Sequence, residues 1–423
     1  MNILAINPWI YDFAAYDFWL KPYGFLVILE YLKNQGIHVD YIDCLDKKTS
    51  AGDFGRGKYA CVIVEKPGIF KTIPRHYKRY GINRDVFKAA LEGKNPDYIL
   101  ITSSMTYWYP GIIEAARLVK EKFPAAKILL GGTYATLCND HAAHNTLYDR
   151  VFANNQIEEF FTYLGITCQP RDLYTTLPRY EEFYQTLDYV VLRTSWGCPF
   201  NCSFCAIRKL FPGTFLQMPQ ASIIDYISGY CRKGVRDYVL YDDAFLYESD
   251  YAKSLLRNIT AAKLGIRFHT PNALHMRFLD DEIASLLKTS GFTNPHFGLE
   301  TLDPELQKLW GDKIDHHDVI KGAAHLKQGG FKNGEASVYL LLGYPGQDLV
   351  RLKEDVLFLI ALGLKVSLAE FSPVPDTPLF EHYGKEFNEP LLHNNSIFGS
   401  FQQHTFKEFW EIKNFVRELN KKL

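Results

Sequence analysis

Along the chain, apolar and polar positions alternate in blocks of two lengths. Asn2 to Ile6 is a short apolar run closed by Asn7-Pro8; a run of this length ended by a turn dipeptide predicts a buried strand. Apolar residues then recur at helical spacing from Pro22 to Asn34 and stop before Gly36, after which His38 to Cys44 predicts another strand. A polar stretch from Lys47 to Lys58 follows. Tyr98 to Thr102 reads as a strand, Gly111 to Lys122 as a helix, and Lys127 to Leu130 as a strand closed by Gly131-Gly132. Strands alternating with helices imply βαβ units and a parallel sheet, so residues 1–168 are expected to form a doubly wound, Rossmann-like α/β domain.

Gln169 to Leu187 has no clean period and contains Pro170 and Pro178, which marks 169–187 as a linker. A second alternation begins beyond it, with strands at Tyr189 to Thr194, Tyr238 to Tyr241, Arg267 to Thr270, His296 to Leu299, Ser337 to Leu342 and Val366 to Phe371. The helices between them are at Ala221 to Arg232, Asp250 to Lys263, Asp280 to Thr289, His317 to Gln328 and Leu349 to Leu362. This series predicts a partial (β/α)6 barrel over 188–378, with its site at the C-terminal ends of the strands. Residues 379–423 are expected to be a short C-terminal extension, a cap or lid with a final helix near Phe406 to Leu419.

Charge excludes some partners. Lys plus Arg number 47 against 48 for Asp plus Glu, so no net field favours nucleic acid or an anionic surface, and a small-molecule partner is expected. No apolar run reaches the roughly 18 residues that span a bilayer. The N-terminus lacks the basic and apolar regions of a secretion signal, so a soluble, cytoplasmic protein is expected.

Eight cysteines are too sparse for a disulfide scaffold, and three of them fall in one span, Trp196-Gly197-Cys198-Pro199-Phe200-Asn201-Cys202-Ser203-Phe204-Cys205, directly after an apolar strand. Three thiolates on a tight loop can hold three irons of a cubane and leave the fourth iron open. Structural zinc would need a fourth ligand, and His269 or Cys231 could provide it only through long-range folding.

Cys198-x-x-x-Cys202-x-Phe204-Cys205, with an aromatic before the third cysteine, resembles the signature of radical S-adenosylmethionine (SAM) enzymes. The resemblance implies a 4Fe-4S cluster whose open iron chelates S-adenosylmethionine and whose electron breaks the sulfonium bond to give a 5′-deoxyadenosyl radical. Four further segments occur in family order. Asp242 and Asp243, within Tyr241-Asp242-Asp243-Ala244-Phe245, stand where the family places polar groups near the methionine moiety, although a helix-capping acid pair is the plain alternative. Gly298-Leu299-Glu300-Thr301 resembles an element shared by methylthiotransferases and cobalamin-linked members. Gly343-Tyr344-Pro345-Gly346-Gln347 resembles a turn that approaches adenine, with Gln347 replacing the usual acid. Phe371-Ser372-Pro373-Val374-Pro375-Asp376-Thr377 resembles a sixth-strand element with Asp376 where glycine is usual. Asn272 and His269, after the third strand, are candidates for the ribose or the substrate, against a purely structural role.

The N-terminal domain resembles the cobalamin-binding domains fused to such enzymes. The loop after its third strand, Ser103, Ser104 and Thr106, and the turn Gly131-Gly132 would surround the nucleotide tail, since ligands sit beyond the carboxyl ends of strands in open α/β sheets. The Asp-x-His-x-x-Gly motif that supplies an axial histidine is absent, and Trp9, Tyr11 and Phe13 occupy that place. The resemblance then implies a lower cobalamin face without histidine, covered by aromatics. A domain that keeps the fold without the cofactor is the alternative.

Together these expectations describe a cobalamin-dependent radical SAM methyltransferase acting on a small organic substrate, fed by a reductant such as flavodoxin or ferredoxin, with the N-terminal domain docked over the barrel mouth. The alternatives are a cobalamin-free radical SAM enzyme for cyclisation, rearrangement or sulfur insertion, and a non-catalytic iron-sulfur redox module. Cys44, Cys61, Cys138, Cys168 and Cys231 are scattered, which leaves no second cluster motif for sulfur insertion.

Overall fold

The N-terminal apolar run forms a fully paired strand. In the structure, a computed structural model that describes residues 1–46, 48–211, 215–383, 386–398 and 405–423, β1 (Asn2–Asn7) lies between β2 (His38–Asp43) and β3 (Tyr98–Ile101), parallel to both. β4 (Lys127–Leu130) and the two-residue β5 (Arg150–Val151) extend the same sheet, giving the order β2-β1-β3-β4-β5. The sequence direction reverses between β1 and β3, so the chain leaves these two neighbours toward opposite faces and opens a crevice at their carboxyl ends.

Burial on both faces explains the unbroken apolar runs of these strands. Leu4, Ile6, Ile99, Ile101, Ile128 and Leu130 share one core with Trp9, Phe87, Ala115 and Val119, while Ile3 and Ala5 are buried on the other face. The helices Tyr23–Asn34 (α1) and Tyr109–Lys122 (α2) cover the sheet. α1 buries Phe25, Leu26, Leu29 and Leu32, each worth about 1.5–3 kcal/mol when removed from water.

Between β2 and β3 the polar stretch proves to contain strands. Lys48–Ala51 pairs antiparallel with Gly57–Tyr59, and Lys78–Tyr80 lies between Ile10–Asp12 and Cys61–Ile63. Three- and four-residue strands are too short to show a period. Lys47, the start of that stretch, lies outside the described residues.

The chain divides into two compact units, one built on Met1–Asp188 with Phe387–Asn394, the other on Tyr189–Arg208 and most of the chain that follows. The stretch 169–187, expected as a linker, holds to the first unit. It carries the helix Pro170–Thr175, Arg179 pairs with Glu30, and Tyr184 donates to Asp43 at 2.7 Å. Within the expected extension, residues 387–394 likewise belong to the first unit.

The second unit carries six parallel strands in two sheets of three. β6 (Val190–Leu192), β7 (Asp237–Leu240) and β8 (Arg267–His269) form one; β9 (His296–Glu300), β10 (Ser337–Leu342) and β11 (Lys365–Glu370) form the other. Parallel bridges Phe268 to Phe292 and Leu274 to Phe297 join the two. Helices Gln220–Arg232, Ser249–Ala262, Asp281–Thr289, His316–Gln328 and Leu349–Ala361 return the chain between strands. The final helix Phe406–Asn420 runs along β11, where Asn420 Oδ1 accepts from Val366 N at 2.9 Å and Lys413 pairs with Glu370.

Candidate active site

The cysteine loop leaves the end of β6, and its first residues are fixed from the next strand. Asp242, just beyond β7, is buried and accepts from Thr194 N at 3.0 Å, Thr194 Oγ1 at 2.6 Å and Ser195 Oγ at 2.7 Å. Burial raises the Asp242 pKa, and the hydrogen bonds from Thr194 and Ser195 oppose that rise. Asp243 pairs with Arg193, whose guanidinium lies 4.8 Å from the Trp196 ring centroid. The acid pair therefore caps no helix. Asp242 spends both oxygens on the root of the loop, and Asp243 is held by Arg193.

All three thiols are free; Cys198 and Cys202 are partly buried and Cys205 is exposed. Burial pushes the Cys198 thiol up to about 11 and raises Cys202 as well. Among the described residues, no three His, Cys, Asp or Glu side chains are drawn together as a single-ion site.

The donor set fits an iron-sulfur cluster, with three thiols on one loop and unfilled polar capacity beside them. Ser203 Oγ and Trp310 Nε1 are buried without a hydrogen-bond partner, an arrangement proteins generally avoid unless a further group is accommodated. Trp310 O accepts from Ser203 N at 3.2 Å, so the helix Pro304–Trp310 ends on the cysteine loop. Phe204 meets the Trp310 ring edge to face at 5.8 Å, and Tyr344 meets it edge to face at 5.0 Å. This wall joins two of the sequence-predicted segments.

Glu300 ends β9 with its backbone at φ 67°, beside a register shift in the pairing with β10. Its carboxylate pairs with Lys313 at 2.9 Å, both side chains being largely buried. Burial works against the Lys313 ammonium, but Glu300, together with Cys202 and Cys205, holds the lysine above its usual pKa. In the turn after β10, Gln347 accepts from Gly343 N at 2.6 Å and donates to Leu341 O at 2.8 Å. A carboxylate could make the first bond but not the second, which accounts for an amide there. Asp376 lies at φ 61°, the left-handed region that explains why glycine is usual at that point and why Asp is tolerated.

Asn272 donates to Tyr241 O at 2.9 Å and ties the ends of β7 and β8 together. His269 is buried against Asp237 at 2.8 Å, and Arg267 shares that carboxylate; it is a structural histidine. His275 was not singled out from sequence. It stacks among Phe200 and Phe278, and burial, aided by the nearby Lys313 and Arg277, lowers its pKa to about 3. Lys313, Trp310 and Arg193 also escaped the sequence reading, because each belongs to a segment without a motif of its own.

In the first unit the loop after β3 and the turn after β4 are stitched together. Ser103 Oγ donates to Gly131 O at 2.9 Å and accepts from Tyr134 N at 3.0 Å. Gly132 lies at φ 92°, and a Cβ there would stand 2.4 Å from Ser103 O. Ser103, Gly131 and Gly132 thus form one ledge at the carboxyl end of the sheet, and Ser104 is exposed at its rim. Thr106 turns instead to His393, whose Nδ1 lies 3.1 Å from Thr106 Oγ1 and whose Nε2 is 2.8 Å from Phe387 O. Asn394 donates to Asp12 at 2.8 Å.

The expected aromatic cover of a cobalamin face is not available from all three residues. Trp9 is buried in the core and donates to Ile82 O at 2.7 Å. Phe13 is packed against Phe70 and Tyr77, and only Tyr11, bonded to Glu114, is half-buried. A strand and its following turn must bury their own aromatics before they can offer any to a ligand.

Residues 193–359 match the Radical SAM superfamily. An uncharacterized methyltransferase of Pyrococcus horikoshii, PH0819, is 24% identical over 217 residues, which cover 50% of this chain and 46% of that protein; the chain thus spans about half the length of that curated relative. Among solved structures, the radical S-adenosylmethionine methyltransferase TsrM from Kitasatospora setae, with cobalamin and a 4Fe-4S cluster bound, superposes with a TM-score of 0.66 at 17% identity, over 91% of this chain and 78% of that one. The cobalamin-dependent S-adenosylmethionine radical enzyme OxsB superposes with a TM-score of 0.58 at 13% identity, over 95% of this chain and 56% of that one. The chain therefore carries a radical SAM domain over residues 193–359, preceded by a parallel α/β unit, in a fold that it shares with TsrM and OxsB.

Proposed function

We propose that this chain is a cobalamin-dependent radical SAM enzyme that methylates a small organic substrate. The observation that carries the reading is Cys198, Cys202 and Cys205 as three free thiols on one loop at the end of the first barrel strand, inside the matched domain. When bound, a 4Fe-4S cluster would supply one-electron cleavage of S-adenosylmethionine, and a corrinoid the methyl group. The chain contributes placement. The three cysteines hold the cluster, Asp242 fixes their loop, and Asp243 holds Arg193 over Trp196. Phe204, Gly343, Tyr344 and Pro345 form the wall and turn for the adenosyl group, Asn272 and Glu300 border it, and Lys313 neutralises Glu300. In the first unit, Ser103, Ser104, Thr106, Gly131 and Gly132 would receive the corrinoid tail.

On this assignment 1–168 serves the corrinoid, 169–187 leads on from it as part of the first unit, 188–378 serves the radical chemistry, and 379–423 is the extension, of which 387–394 belongs to the first unit. A low-potential donor such as flavodoxin or ferredoxin would deliver the electron. The methyl transfer draws support from the relative named as a methyltransferase and from the fold shared with TsrM.

The test is anaerobic reconstitution followed by three measurements: iron and sulfide per chain, 5′-deoxyadenosine formed from S-adenosylmethionine under reduction, and uptake of methylcobalamin. About four irons and four sulfides per chain, with corrinoid uptake near one, are expected. A cluster without corrinoid uptake would leave a cobalamin-free radical enzyme. Tetrahedral zinc in place of iron would discard the reading.

A further inference from the structure

Lys313 is a buried cation set against the cysteine loop, and no sequence motif marks it. Its side chain is 13% exposed and that of Glu300 is 15% exposed. The backbone around the pair is costly. Glu300 lies at φ 67° and Asp312 at 50°, and left-handed non-glycine residues persist only where the surroundings enforce them. Gly298 leaves the space that the pair fills, because a Cβ there would stand 2.6 Å from Lys313 Nζ and 2.7 Å from Glu300 Oε1. A buried ion pair contributes little to stability over apolar residues of the same size, so packing alone does not account for this arrangement.

The segment that bears Lys313 rests on the cluster loop. A Cβ on Gly311 would lie 3.2 Å from Cys202 Cα, and Trp310 O accepts from Ser203 N. Neighbouring cations are already engaged, Arg193 by Asp243 and Arg277 by Asp318, while His275 beside them is neutral.

We infer that Lys313, anchored by Glu300, is the fixed positive charge that sets the reduction potential of the cluster held by Cys198, Cys202 and Cys205. The inference rests on the radical SAM reading of those cysteines. One electron from a low-potential donor adds one negative charge to the cluster. A nearby fixed cation stabilises the reduced form more than the oxidised form and so raises the potential. Lys313 acts as a positioning charge, and Glu300 both holds it and tempers it.

The experiment compares wild type, Lys313→Met, Glu300→Gln and the double variant Glu300→Gln/Lys313→Met, each reconstituted anaerobically. Iron and sulfide are counted first, and the cluster is then titrated by EPR against dithionite-poised mediators without S-adenosylmethionine. A wild type that takes up no four-iron cluster overturns the reading of the cysteines itself. With clusters loaded, Lys313→Met is expected to shift the midpoint to more negative potential, Glu300→Gln to shift it upward, and the double variant to shift it negative by less than Lys313→Met. A loaded Lys313→Met with the wild-type midpoint overturns the inference. If Lys313→Met does not load, the double variant, which leaves no unpaired buried charge, decides: a wild-type midpoint there overturns it, and a negative shift supports it.

Discussion

Asp242 shows how one side chain can brace the root of a loop from the end of a neighbouring strand. Its two oxygens receive Thr194 N, Thr194 Oγ1 and Ser195 Oγ, so Asp242→Ala strands buried donors at a cost of about 1–3 kcal/mol for each group left unpaired. A lower unfolding temperature and fewer irons per chain are expected, with Asp242→Asn, which keeps one acceptor oxygen, falling between. A wild-type iron count in Asp242→Ala would remove the residue from the site. His393 makes a different prediction. Burial lowers its pKa from 6.5 to about 4, so between those values the unfolded chain binds a proton that the folded chain does not. Stability therefore rises with pH through this window and is lost as pH falls from 6.5 toward 4, by about 2 kcal/mol at pH 5. Urea midpoints at pH 7 and pH 5 should differ less in His393→Gln than in wild type; equal loss in both would show that the proton is taken up elsewhere.

At the scale of elements, the strands of the parallel sheets were legible because burial on both faces imposes unbroken apolar runs. β1, β2, β3, β4 and β10 begin at the expected residues, and the helices Gln220–Arg232 and His316–Gln328 begin one residue early. The three-residue strands at Ile10–Asp12, Cys61–Ile63 and Lys78–Tyr80 were not legible, since they take their pairing from one another and carry no period. Turn chemistry falls between these cases. The pair Gly131-Gly132 was visible in sequence, but the reason for it, the approach of Ser103 O to the place a Cβ would occupy, is tertiary. Gly132→Ala should lose about 2 kcal/mol or more from the combined backbone strain and clash, read by thermal unfolding, and should weaken corrinoid uptake. Gly165→Ala provides the contrast. It too has positive φ, at 74°, but meets nothing within 4 Å, so only the strain applies.

For the whole molecule, the division into two compact units yields its own prediction. Each unit has its own sheet and core, so the triple variant Cys198→Ala/Cys202→Ala/Cys205→Ala should lose all iron while keeping methylcobalamin uptake within about twofold, a change in binding free energy under roughly 0.5 kcal/mol. Iron analysis and the visible spectrum of bound corrinoid check both halves. Loss of corrinoid together with iron would mean that the first unit depends on the cluster for its fold. The segment Phe387–Asn394 crosses the expected domain order, since Glu389 accepts from Tyr109 and His393 and Asn394 are buried with Thr106 and Asp12. Nothing in its local sequence announces this, because the partners lie some 280 or more positions away.

By itself the sequence determined the two α/β series and the thiol loop at the end of the first barrel strand, and among the described residues no helix is long and apolar enough to cross a membrane. These follow from local periods, spacing and composition, which need no knowledge of what lies across the fold. Only the tertiary structure decided that Asp242 braces the loop, that Trp9 and Phe13 belong to the core, and that Lys313 meets Glu300 beside the cysteines. Each of those depends on which distant backbone comes within a few ångströms, and a side chain's role in a buried site is set by the charge and the space it meets there.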